Sequence, residues 1–113
     1  MVRIEALIQS VKLDAVKAAI DSLGVGGITF YHVMDHGGPS GLKAFYRGVE
    51  YAVDSPRVKL EMVVSSLQAD EVIEALSEAA RTGMSGDDGM IVVTEVADAM
   101  RIKNGRRFQV AFS

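Results

Sequence analysis

The sequence contains no cysteine. That excludes a disulfide framework and thiolate chemistry. It has no apolar run near the roughly 20 residues that cross a bilayer as a helix. It also has no excess of positive charge: Lys and Arg total 12 against 15 Asp and Glu, a formal net charge of −3. Nonspecific nucleic-acid binding relies on cations to neutralise phosphates, so it is disfavoured. The opening residues Met1-Val2-Arg3-Ile4-Glu5 alternate charged and apolar character, and no hydrophobic stretch of signal-peptide type follows them. A cytoplasmic location is the expectation. No serine has histidine and acid partners that the sequence would bring near it, so no catalytic residues are assigned and an enzyme is not expected.

What is present fits one soluble domain over residues 1–113, with 49% hydrophobic and 24% charged residues. The organising feature is an internal repeat. Val2-Arg3-Ile4-Glu5-Ala6-Leu7-Ile8-Gln9-Ser10 aligns with Val58-Lys59-Leu60-Glu61-Met62-Val63-Val64-Ser65-Ser66, an offset of 56 residues. Each copy opens with apolar residues at every second position, the signature of a strand with one buried face. Each then changes to helical spacing: Leu13, Val16, Ile20 and Leu23 form one stripe, and Val72, Leu76, Ala79 and Ala80 another. Asp14 and Asp70 fall near the helix starts, where a negative charge suits the dipole. Gly24, Gly26 and Gly27 are expected to end the first helix and Gly83 the second. Second strands follow at Ile28 to Met34 and Met90 to Val96.

The pattern is βαβ–loop–βαβ, an α+β fold of the ferredoxin-like βαββαβ type with both helices on one face of a four-stranded antiparallel sheet. Leu7 and Val63 point to the other face, which then needs cover, and oligomerisation would supply it. The tail Phe108-Gln109-Val110-Ala111-Phe112 alternates and is a candidate edge strand.

Several segments are candidates for function. Residues 35–56 form a long connection, and Phe45-Tyr46-Arg47-Gly48-Val49-Glu50-Tyr51 within it has no evident hydrophobic face. A connection of this length is usually functional or disordered. Arg47, Glu50 and the tyrosines would make an adaptable contact surface. The segment Thr82-Gly83-Met84-Ser85-Gly86-Asp87-Asp88-Gly89 fits either a helix stop with a turn or a backbone cradle for phosphate; it lacks the spacing and lysine of the NTPase loop. Arg101 and Lys103 would share a face of an extended chain and suit a phosphate chain, or else belong to a solvated basic tail with Arg106 and Arg107. His32 and His36 share strand parity near Asp35, but without a third ligand no metal site is assigned.

The chain resembles the PII signal-transduction proteins, small trimeric regulators of nitrogen metabolism, over nearly its whole length. The carriers are Ile4-Glu5-Ala6, Lys12-Leu13-Asp14-Ala15-Val16-Lys17, Gly27-Ile28-Thr29, Tyr46-Arg47-Gly48-Val49-Glu50-Tyr51-Ala52-Val53-Asp54, Ala80-Arg81-Thr82-Gly83 and Arg101-Ile102-Lys103. The resemblance implies a homotrimer with an adenine nucleotide (ATP, ADP or AMP) in each intersubunit cleft and magnesium accompanying it. It implies a protruding T-loop at about 37–55, a phosphate loop at about 82–90 and a carboxy-terminal tail at about 98–113. Thr29 would meet the adenine and Gly37 the base of the T-loop, and Gly38 and Val63 would also belong to the nucleotide site. Gly86, Asp87, Gly89 and Met90 would surround the phosphates, with Arg57 in place of a family lysine. Arg101 and Lys103 would reach in from the neighbouring subunit. The T-loop, with Arg47, Glu50 and Tyr51, would dock on a transporter, metabolic enzyme or regulator. Tyr51 matches a tyrosine that some members carry uridylylated.

The sequence departs from the family at informative places. The phosphate-loop pattern Thr-Gly-Lys-Ile-Gly-Asp-Gly-Lys-Ile has both lysines replaced here, by Met84 and Met90, and Asp88 is an added acid. Each lost charged hydrogen bond costs on the order of 1.5–3 kcal/mol, about tenfold or more in affinity. Pro39 stands where the family has a glutamine that helps hold magnesium and 2-oxoglutarate, and proline offers no oxygen ligand on its side chain. The 2-oxoglutarate response is therefore not expected. The alternative to a nitrogen regulator is a divergent PII-like sensor of ADP, AMP or bicarbonate in carbon uptake or another pathway.

Overall fold

Alternation of apolar and polar residues drives the first strand, β1 (Val2–Gln9), in which Ile4, Ala6 and Ile8 are buried while Arg3, Glu5 and Leu7 face the other way. The computed structural model describes residues 1–37, 43–83 and 88–107. After β1 a single tight turn, Ser10–Lys12, leads into α1 (Leu13–Asp21). Then come β2 (Thr29–Asp35), β3 (Lys43–Tyr46), β4 (Val49–Ala52), β5 (Ser55–Val64), α2 (Ala69–Ala80) and β6 (Gly89–Glu95). Four strands form one sheet in the order β2-β5-β1-β6, with every adjacent pair antiparallel. The two central strands are the repeat-related pair, running from Val2↔Val64 to Gln9↔Arg57. This is the expected ferredoxin-like arrangement.

The core lies between the sheet and the helices. Ile4, Ile8, Val58 and Leu60 on the strands meet Val16, Ile20, Val72 and Leu76 on the helices, and all are essentially inaccessible. Burying a side chain of this size contributes roughly 1.5–3 kcal/mol. Asp14 lies in the first turn of α1, and Asp70 and Glu71 in the first turn of α2, where they complement the helix dipole. Gly24, at φ 71, closes α1 with its amide on the Asp21 carbonyl. By contrast, α2 stops at Ala80 because Arg81 already takes extended backbone, ahead of Gly83.

On the open face of the sheet Leu7 and Val63 are half-buried, as the alternation predicts. Polar groups share this face. Arg3 pairs with Glu5 at 3.2 Å, and the Tyr31 hydroxyl donates to Glu61 Oε1 at 3.1 Å.

The segment 35–56 differs most from expectation. The strands consume its ends, since β2 runs to Asp35 and β5 begins at Ser55. Its middle is a two-stranded hairpin, β3 with β4, separate from the main sheet. Arg47 and Gly48 form its two-residue turn, both with positive φ (53° and 77°). That backbone matches the right-handed twist of a tight hairpin. The tail strand expected at Phe108–Phe112 lies outside the described residues.

Candidate functional site

The described residues expected around a nucleotide divide between the two ends of β1. At the Val2 end the connection from α1 to β2 passes through Gly26 and Gly27, and Gly27 has a φ of 142° that favours glycine. It delivers Thr29 to the first position of β2, directly opposite Glu61 on β5. Around them is a cleft of about 420 Å³ lined by Arg3, Gly26, Gly27, Ile28, Thr29, Glu61, Met62, Val63 and Arg101. The volume is in the range of small-molecule sites, and the lining mixes apolar walls with a few polar groups. Two guanidinium groups and one carboxylate border it, which suits a flat polar ring system with an anionic extension. Thr29, Val63 and Arg101 are thus brought together.

Lys103 lies close by in sequence but not as expected. Residues 102–104 form a turn instead of extended chain. The Arg101 amide donates to the Arg106 carbonyl at 2.9 Å, and Asn104 Oδ1 accepts from the Arg106 amide at 2.9 Å. A short polar side chain bonding its own backbone two residues on is what makes Asn a turn residue. The turn is closed by the Met100–Arg107 bridge, and Arg107 pairs with Asp98.

At the Gln9 end are Gly37, Arg57, Gly89 and Met90. Gly89 opposes Ile8 and Met90 opposes Leu7. Gly89 is required by space as well as by its φ of 118°: a Cβ there would stand 1.7 Å from the Leu7 carbonyl oxygen. Gly37, just past β2, also has a left-handed φ of 74°. Arg57 opposes Gln9 and is buried, so its charge is held within the fold with partners rather than displayed. A smaller cleft of about 220 Å³ lies between β6 and the end of α2, bordered by Leu7, Ser77, Arg81, Asp88, Gly89 and Met90. Gly38, Pro39, Met84, Gly86 and Asp87 lie outside the described residues.

The added acid, Asp88, turns back on the start of its own loop. Its carboxylate accepts from the Thr82 hydroxyl at 2.5 Å and from the Thr82 amide at 3.1 Å. These two hydrogen bonds, with the nearby cations Arg81 and Lys12, hold the carboxyl below the ordinary value of 3.8 despite some desolvation.

The hairpin carries the third group. Ala44, Tyr46, Val49 and Tyr51 fall on one face by register, and Phe45 and Glu50 on the other. Phe45, Tyr46, Val49 and Tyr51 are each at least half exposed. The Arg47 guanidinium lies over the Tyr46 ring at 5.3 Å. Among the described residues no three metal-ligating side chains cluster. His36 instead bonds Asp54, with Nδ1 to Oδ1 at 2.5 Å.

The sequence reading missed Glu61, Arg3 and the Thr82–Asp88 pairing. Glu61 carried a faint signal, as a charged residue two positions from Val63 on the same strand face. The other two depend on register and loop closure. Comparison with known proteins matches residues 1–106 to the family model of nitrogen regulatory protein P-II. The nitrogen regulatory protein P-II 1 of Methanothermobacter thermautotrophicus is 44% identical over 106 residues, 93% of this chain and 91% of the relative. That of Rhodospirillum rubrum is 43% identical over 108 residues, 95% and 96% of the two chains. That of Haemophilus influenzae is 44% identical over 106 residues, 93% and 94% of the two chains.

Proposed function

The chain belongs to the nitrogen regulatory protein P-II family, and from that premise we propose that it is a homotrimeric signal-transduction regulator of nitrogen metabolism, not an enzyme. In this reading an adenine nucleotide binds between subunits, and the β3–β4 hairpin is the T-loop that docks on a transporter or metabolic enzyme. The observation that carries the reading is the division of the nucleotide residues between the two ends of β1. Arg3 and Leu7 are four residues apart, about 13 Å at strand rise; Val63 is level with Arg3 and Thr29 with Glu5, whereas Met90 is level with Leu7 and Gly89 with Ile8. A neighbouring copy brings the Thr29–Val63–Arg101 end of one chain against the Gly37–Gly89–Met90 end of the next. Each nucleotide cleft is then built from two incomplete halves, and the half-buried open face is covered.

The nucleotide acts as a switch to the extent that it binds one hairpin arrangement more tightly than another. No helix among the described residues is long and apolar enough to cross a membrane. The working location is the cytoplasm, where adenylates and metabolic targets are available.

The test combines molecular mass in solution with calorimetric titration of AMP, ADP and ATP. A trimer that binds at least one adenylate, and loses about tenfold affinity or more on Arg101→Ala, is the expected result. A lone subunit indifferent to all three adenylates overturns the reading. Asp88 and Met90 favour a second reading, in which the preferred effector is ADP or AMP, or the sensor serves carbon uptake through bicarbonate. The same titrations, repeated with bicarbonate and with 2-oxoglutarate, separate the two.

A further inference from the structure

The Thr82–Asp88 pairing bears on which ligand the Gly89–Met90 end accepts. Both carboxylate oxygens of Asp88 are committed to Thr82, one to its hydroxyl at 2.5 Å and the other to its amide at 3.1 Å. The negative charge is therefore fixed in place, immediately before Gly89. Gly89 tolerates no side chain against the Leu7 carbonyl, so the step from Asp88 into β6 has little freedom. The charge borders the 220 Å³ cleft that Gly89 and Met90 also line. Met90 beside it is uncharged and 65% exposed, and offers a phosphate nothing to offset that carboxylate.

Resting on the nucleotide reading above, we infer that Asp88 is a charge-selectivity residue: clasped by Thr82, it penalises each added phosphate and so favours nucleoside monophosphates over triphosphates. The clasp matters as much as the charge. A free aspartate would swing into solvent or take up a cation, whereas one with both oxygens bonded keeps its place as the ligand arrives. The hydrogen bonds and the cations Arg81 and Lys12 also favour its ionised form. Coulombic repulsion at short range is strong enough to decide between ligands that differ by two or more charges. Arg81 also lines the cleft and keeps its charge while its guanidinium donates to the Ser77 hydroxyl at 3.2 Å, so it offsets the carboxylate in part, and the effect of Asp88 is read with that cation held constant.

The experiment measures AMP, ADP and ATP affinities of the full chain in EDTA, so that no divalent cation masks phosphate charge. Wild type is compared with Asp88→Asn and Asp88→Ser, two neutral replacements that each retain a hydrogen-bonding oxygen for Thr82. The ratio of ATP to AMP affinity is expected to rise about tenfold or more in both, mainly through tighter ATP binding. Thr82→Val removes the hydroxyl bond, keeps the amide bond and the charge, and should give a smaller rise. A ratio within twofold of wild type in both neutral variants, with AMP still bound, overturns the selectivity role and leaves the nucleotide reading intact. Equal loss of all three ligands shows a purely structural loop closure and also overturns it. Failure of wild type to bind any adenylate overturns the nucleotide reading and this inference together.

Discussion

His36 Nδ1 lies 2.5 Å from Asp54 Oδ1, and that one bond ties the chain entering the β3–β4 hairpin to the chain leaving it. Both side chains are more than half exposed. An exposed pair of this kind contributes about 0–1 kcal/mol to global stability. Its effect should instead be local, because it shortens the span whose ends are free to separate. His36→Ala is expected to leave the melting temperature within a few degrees of wild type and to speed amide exchange in residues 43–52. Hydrogen exchange read by mass spectrometry checks this, and unchanged exchange in the hairpin would show that the bond does not hold its base.

Gly89 is the position where substitution should be most damaging for its size. An added methyl group meets the Leu7 carbonyl at 1.7 Å, and φ is 118°. The obstacle is backbone of a central strand, which cannot move without breaking its ladders to β5 and β6. Gly89→Ala should therefore cost about 3–5 kcal/mol. The open glycines make the control: Gly26 has nothing within 4 Å of its would-be Cβ, and Gly26→Ala should cost far less. Denaturant unfolding of the two variants measures the difference.

The regular elements were legible because each has one buried face. Ile4, Ala6 and Ile8 alternate, Val16 and Ile20 are one helical turn apart, and burial imposes those periods on the sequence. The hairpin was not legible because its described side chains, 44–51, are all exposed, so they follow no inside–outside alternation. Its turn was also disguised: Arg47 occupies a left-handed position where asparagine or glycine is the usual signal. Thr29, Val63 and Arg101 line one cleft of the chain, and Glu61 joins them only through the register that sets it opposite Thr29. The spacing of Arg101 and Lys103 predicts extended chain, whereas the hydrogen bonds of Asn104 and Arg106 wind that stretch into a turn.

Truncation in the core should separate the body of the fold from its appendage. Leu60 on β5 and Leu76 on α2 are fully buried. Leu60→Ala or Leu76→Ala should cost about 2–5 kcal/mol through lost burial and the cavity left behind. Tyr46→Ala on the hairpin, with a side chain 62% exposed, should change stability by about 0.5 kcal/mol or less. Chemical denaturation followed by far-ultraviolet dichroism gives all three values. A hairpin variant as damaging as the core ones would mean that the hairpin packs on the body in solution.

Tyr31 sets an alkaline limit on the open face of the sheet. Its phenol is held above the ordinary value of 10.0, first by partial desolvation, then by its hydrogen bond to Glu61 and the negative charges of Glu61 and Glu5, with Arg3 opposing. Because the folded value exceeds the unfolded one, the fold binds this proton more tightly. The stabilisation is fully present below the unfolded value of 10.0 and is lost as pH rises through the folded value. Phenolate absorbance should show a late component, from a phenol that titrates above the ordinary tyrosine value. Tyr31→Phe should remove that late component and flatten the alkaline fall in stability. If the late component survives the substitution, another tyrosine is its source and the Tyr31–Glu61 bond does not control the titration.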